Sequence, residues 1–371
     1  MTQRPSALLA ALALCACSSS TATPPDASSA PDAPGDVTPD VAADAAPEVA
    51  LDAVADAPAV DASPDVADDA PDDAPRALRR CPTTGRGALT GDFCFTLTPA
   101  ETGLAASGAN ATEDQYALRP ASGARGGLMI FLHGSGGTPR GVIASPDVNV
   151  YAAARAQGLH VLSVAYRSDD AVGELCAAAA DRDACFLATR TAIVTGVPQA
   201  GAAAPLASIA VNEGVYARVG AALLALAERD PDGRWGQFYD PAAGRDVARG
   251  VRWGVVTVAG HSQGGGHAAL LARLHPVRRA VMFSSPCDLA SGAPASWLTH
   301  DGAWASASAS LFGLGSMGDV VCPGHVPAWG ALGLPAGNRD NTAVVCASEA
   351  AHGASVKCVE NASRWAALFG P

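Results

Sequence analysis

Residues 18–75 contain no Lys, no Arg and no aromatic residue. They hold instead 13 Asp and one Glu, set among Pro and Ala in recurring Pro-Asp-Ala variants. Such a stretch cannot bury enough apolar surface to offset its ordering entropy, and its like charges repel. It is expected to be a disordered, extended tether. The chain's formal charge is 24 − 36 = −12, and the tether's −14 more than accounts for it. Without the tether and Arg4, 23 basic residues face 22 acidic ones, so the rest is close to neutral. The acidic balance therefore says nothing about a substrate, and with no basic stripe no nucleic-acid partner is expected. Two further absences narrow the class. No apolar run reaches the roughly 18 residues of a spanning helix. No two cysteines have the C-x-x-C spacing of a zinc site, and no metal or cofactor is expected.

What is present at the N-terminus is Arg4, an apolar run over 7–14, and then Leu14-Cys15-Ala16-Cys17. Leu three places before a Cys, with a small residue just ahead of it, resembles a bacterial lipoprotein signal, which implies cleavage and lipidation at Cys17. Cys15 fits less well because bulky Leu14 would precede it. An ordinary secretion signal cut nearby is the alternative. The expected division is a signal over 1–17, the tether over 18–75, and one large folded domain over 76–371. The chain is expected to be an extracytoplasmic monomer of the cell envelope, held to a membrane by its lipid, at the outer membrane or surface rather than the inner membrane.

The folded part carries eight of the ten cysteines, which suits an oxidising compartment. Eight cysteines allow 105 pairings, so sequence cannot fix them. Proximity favours Cys81–Cys94, Cys176–Cys185 and Cys346–Cys358, leaving Cys287–Cys322. Free buried thiols are the alternative.

The continuous apolar run at 127–132 reads as a buried strand, ending in His133-Gly134-Ser135-Gly136-Gly137. A helix over 148–157 and a strand over 159–166 follow. That alternation is the pattern of a parallel sheet with crossover helices, an α/β fold. Residues 168–205 are expected to be a helical excursion shaping a pocket, followed by a helix over 212–229 and a loop over 230–250. Later strands are expected at 278–284, 306–315 and 342–346, with a closing helix at 361–369. Trp297, Trp304 and Trp329 fall in connecting loops, where lining a cleft competes with plain packing.

Everything is organised around 251–274. The β-branched run 255–259 suits a strand buried on both faces, and 268–274 is rich in helix formers. Between them lies Gly260-His261-Ser262-Gln263-Gly264. A strand turning sharply into a helix strains its corner residue and needs small neighbours two positions to either side. The run Ala259-Gly260-His261-Ser262-Gln263-Gly264-Gly265 is similar to the nucleophile elbow of the α/β-hydrolase superfamily, which includes esterases, lipases, polyester depolymerases and some peptidases. The likeness covers roughly residues 110–371. It implies a mostly parallel central sheet flanked by helices, and a serine mechanism on Ser262.

In that superfamily the order along the chain is nucleophile, acid, histidine. His352 follows the last expected strand, where the resemblance places the base, and Cys346 and Cys358 flank it. Asp319 follows the penultimate strand and is the preferred acid, with Asp288 as the rival. His267 and His275 read as packing and as a helix C-terminus. Donors for a developing oxyanion are expected in the backbone N–H of Gln263 and, from the 133–137 loop, of Ser135, with Gly134 or Gly136 as alternatives. His133 reads as a structural hydrogen-bonding residue. No Gly-Lys-Ser/Thr follows this loop, so it is not a phosphate cradle. The expected function is hydrolysis of a small-molecule or polymer ester through an acyl-enzyme. A peptidase or amidase of the same fold, and a catalytically silent surface binding protein, are the alternatives.

Overall fold

Residues Gly127–Leu132 read GLMIFL, and every one of them is buried. Alternate side chains of such a strand leave on opposite faces, so a fully apolar run demands cover on both. Both covers are present. Leu128, Ile130 and Leu132 join one apolar cluster, whereas Met129 and Phe131 join another. A computed structural model describes residues 77–81, 93–104, 108–121, 123–142, 148–206, 208–244 and 246–371. The expected signal, Cys17 and the acidic tether lie outside the described residues.

The strands are β1 Arg79–Arg80, β2 Cys94–Leu97, β3 Gln115–Leu118, β4 Gly127–Leu132, β5 Leu159–Ser163, β6 Val256–His261, β7 Arg279–Phe283, β8 Leu289–Ala290, β9 Ala293–Pro294, β10 Leu311–Ser316 and β11 Arg339–Thr342. The α-helices are α1 Val150–Ala156, α2 Val172–Leu175, α3 Arg182–Thr195, α4 Val215–Arg229, α5 Val247–Gly250, α6 Gln263–Leu274, α7 His325–Ala331, α8 Ala351–Lys357 and α9 Ala362–Phe369. Nine strands form one sheet in the order β1-β2-β3-β5-β4-β6-β7-β10-β11, while β8 and β9 pair separately. From β5 to β11 every pairing is parallel, and β1 to β3 are antiparallel. This is an α/β-hydrolase fold.

The two covers follow from amphipathic helices. Phe186 and Ile193 of α3, Val219, Leu223 and Leu226 of α4, and Leu270 of α6 pack on one face. Tyr151 of α1 and Trp365 and Phe369 of α9 pack on the other. Asn149 caps α1, its Oδ1 accepting from the N–H of Tyr151 and Ala152 at 2.9 Å. No helix of the described residues is long and apolar enough to cross a membrane.

Two expectations need correction. The strand expected at 306–315 begins only at Leu311. The last strand is 339–342, not 342–346: it is an edge strand reading RDNT, largely exposed, and so leaves no apolar run to recognise. Of the two readings of the tryptophans, packing is the one the structure bears out. Trp297 and Trp304 are core residues, and Trp329 lies buried in α7, its Nε1–H donating to Ser285 O at 2.7 Å. All four expected disulfides are formed: Cys81–Cys94, Cys176–Cys185, Cys287–Cys322 and Cys346–Cys358. Four such bonds suit an oxidising, extracytoplasmic compartment.

Candidate active site

Ser262 is the single residue between β6 and α6, with φ 54° and ψ −122°, a strained conformation for a residue with a side chain. The strain is over-determined by its neighbours. Ser262 N–H donates to Phe283 O of β7 at 2.9 Å, while Ser262 O accepts from Gly265 N–H at 3.0 Å. A Cβ at Gly260 would collide with the backbone of Gly264, and one at Gly264 with the carbonyls of Leu132 and His133. Those two glycines therefore let strand, helix and the end of β4 approach one another. The helix starts directly after Ser262, at Gln263.

His352 lies in the first turn of α8, a short helix that the sequence did not mark. Its Nδ1 stands 2.9 Å from Asp319 Oδ2 and 3.1 Å from Oδ1. A carboxylate only accepts, so the ring proton sits on Nδ1 and leaves Nε2 as the basic nitrogen. Asp319 is buried in the loop after β10, and its Oδ1 also accepts from the N–H groups of Val321 and Cys322, both at 3.0 Å. Burial opposes the Asp319 charge. The hydrogen bonds from His352 and Cys322 outweigh it, holding the carboxyl below its ordinary range. Cys322 is bonded to Cys287 and Cys346 to Cys358, so disulfides brace both segments.

Asp288 stands elsewhere. Arg190 Nε donates to its Oδ2 at 2.7 Å and Trp297 Nε1–H to the same oxygen at 3.0 Å, with both ions of the pair buried. Arg190 Nη1 also donates to Gln263 O at 2.9 Å, tying α3 to the start of α6. Asp288 thus serves a buried ion pair and is not the hydrogen-bond partner of His352.

In the 133–137 loop, Gly136 N–H donates to Ser168 O at 2.6 Å and Gly137 N–H to Gly134 O at 3.1 Å. Among the described residues the backbone N–H groups of Ser135 and Gln263 have no such acceptor. The Ser135 hydroxyl donates to Gln263 Oε1 at 2.8 Å, and Val172 N–H donates to the same oxygen at 3.0 Å. Gln263 therefore joins the loop, α2 and the elbow through its side chain. A Cβ at Gly134 would lie 3.1 Å from Ser262 Cβ, so the loop passes directly over the serine. His133 stacks on Tyr166 at 4.5 Å, its Nδ1–H donating to Gly134 O at 3.1 Å, and burial lowers its pKa to about 4.

Two cavities, of about 210 and 580 Å³, share Ser135, Ser262 and His352 in their walls. Val172, Glu174 and Arg182 of the 168–205 excursion line the larger one. His267 is buried and its pKa is held well below the ordinary value by burial, as its reading as packing requires. His275 stacks on Trp253 at 4.2 Å. Arg190 and the side chain of Gln263 escaped the sequence reading; both are polar residues whose partners lie far away in the chain. Among the described residues, the one His, Cys, Asp and Glu grouping within ligand reach is Cys346, Cys358 and Glu360, and its sulfurs form a disulfide.

No family model and no curated protein matches this chain. Among solved structures, it is similar to TT1662 from Thermus thermophilus, at 16% identity and a TM-score of 0.36, covering 74% of this chain and 96% of that one. It is also similar to an S-formylglutathione hydrolase from Agrobacterium tumefaciens, at 12% identity and a TM-score of 0.42, covering 79% and 100%.

Proposed function

We propose that this chain is a serine hydrolase of carboxylic esters. The observation that carries the reading is the Asp319–His352 bond at 2.9 Å, with His352 and the strained Ser262 lining one cavity. A serine hydroxyl is a poor nucleophile at neutral pH and needs a base. His352 Nε2 takes the Ser262 proton as Oγ attacks the ester carbonyl. Asp319 accepts the Nδ1–H bond throughout, fixing the tautomer and stabilising the imidazolium without taking its proton. The N–H groups of Ser135 and Gln263 stabilise the oxyanion, each such donor being worth about 3 kcal/mol. The imidazolium returns its proton to the departing alcohol, leaving an acyl-Ser262 ester. Water, deprotonated by the same Nε2, then releases the acid and restores the serine.

Two cavities open on Ser262, so an ester seated at the serine has room in either. A chain-length series of chromogenic esters tests the reading. Turnover that falls away beyond some acyl length supports it, whereas turnover of amides and no ester would move the chain to the peptidases. The lipid at Cys17, with residues 18–75 as a tether to a membrane surface, belongs to the same proposal. Monomeric action without nucleic acid is part of it as well. Mass spectrometry finding an unmodified mature N-terminus would end the anchoring part alone.

A further inference from the structure

The residue before the nucleophile has a partner that the reaction just described does not use. His261 ends β6, and its Nε2 stands 2.8 Å from the backbone oxygen of His352. The two rings lie 4.7 Å apart, centre to centre. A carbonyl oxygen only accepts, so Nε2 carries the proton and the ring donates. The acceptor belongs to the backbone of the base itself, and the donor is covalently next to Ser262. One hydrogen bond therefore links the two chain segments, 91 residues apart, whose separation sets the reach from Nε2 of His352 to the serine.

The two ends are held in different ways. His261 pairs with Phe283 inside the sheet. His352 rides on a helix of only seven residues, held by Cys346–Cys358 and, three residues past His352, by Ser355, whose Oγ lies 2.9 Å from Ser284 Oγ. The Asp319 bond orients the imidazole, but nothing in that bond fixes how far α8 stands from β6. We infer that His261 is a positioning residue that holds the backbone of His352 at working distance from Ser262. The inference rests on the hydrolase reading above. His352, Lys357 and Asp319 are the charged or titratable groups facing the His261 ring. Burial first, then the His352 charge and Lys357, lower its pKa to about 4 against the opposing hydrogen bond to the His352 carbonyl and the pull of Asp319. The ring is consequently neutral near pH 7 and adds no cation beside the His352 imidazolium.

The test compares His261→Gln, His261→Asn and His261→Leu with the native chain on a soluble p-nitrophenyl ester. A Gln amide nitrogen reaches about as far as Nε2, whereas Asn stops short at the position of Nδ1. A displacement of about 1 Å in a catalytic group costs on the order of 100-fold in rate. His261→Leu and His261→Asn should therefore lose about 10- to 100-fold in kcat with KM within about twofold, and His261→Gln should recover to within about fivefold of native. If Leu prevents folding, the Gln and Asn pair, both neutral amides, decides the matter. Equal kcat in Gln and Asn, or native kcat in a folded Leu variant, overturns the positioning role while leaving the hydrolase reading intact. No turnover by the native chain, and none gained over Ser262→Ala, overturns both.

Discussion

At the scale of single residues, Asp319 and Asp288 show how alike two carboxylates look in sequence and how differently they are used. Both follow strands of the same sheet, and both were acceptable as the acid. Asp319 meets His352, whereas Asp288 meets Arg190, which lies 98 residues earlier in the chain. An ion-pair partner so remote leaves no local trace in sequence, which is why the choice stayed open there. Variants at the two positions should differ in kind. Asp319→Asn is expected to lower kcat by about four orders of magnitude, because the His352 tautomer is no longer fixed, with a melting temperature near native. Asp288→Asn leaves the Arg190 guanidinium buried without its counter-charge and is expected to cost about 3–5 kcal/mol of stability. Urea midpoints and ester turnover on the same samples separate the two, and the reverse pattern would exchange their roles. Ser262→Ala and His352→Ala should each abolish turnover.

At the scale of elements, legibility tracked burial. Strands β4 and β6 are covered on both faces, so their apolar runs were readable, as was the elbow between β6 and α6. Strand β11 carries Arg339, Asp340 and Asn341 at the sheet edge, and nothing apolar marks it. Helix α8 was missed because Ala351–Lys357 is seven residues long and held by its surroundings more than by propensity. The elbow makes its own prediction. A Cβ at Gly264 would strike two backbone carbonyls, which cannot move aside as side chains can. Gly264→Ala is expected to cost at least about 3 kcal/mol, or to prevent soluble expression, where Ser262→Ala does neither. Disulfides give a second. Cys287–Cys322 and Cys346–Cys358 brace the segments bearing Asp319 and His352, so mild reduction should lower kcat while far-UV circular dichroism stays native. Activity and ellipticity falling together would mean that these bonds hold the whole sheet rather than the site.

At the scale of the whole molecule, the buried histidines set the response to acid. His133 and His267 are enclosed, the first with its pKa lowered to about 4 and the second well below its ordinary value, both by burial. An unfolded chain titrates these rings near pH 6.5, so below that the unfolded state binds more protons than the folded one. Their stabilising effect is complete above about pH 6.5 and is lost as pH falls toward 4, by up to about 1.4 kcal/mol per pH unit for each ring. Asp319, held below its ordinary range, adds a loss of the same sign at lower pH. Urea midpoints should therefore drop steeply between pH 7 and 5, and a flat profile would contradict neutral burial of these rings. The central claim, that Ser262 is a nucleophile activated by His352 and Asp319, is tested most directly by a fluorophosphonate probe followed by peptide mass spectrometry. The account predicts one adduct, on the hydroxyl of Ser262, formed far more slowly in His352→Ala and absent in Ser262→Ala. A folded native chain that takes up no probe, or takes it up equally in Ser262→Ala, would contradict it.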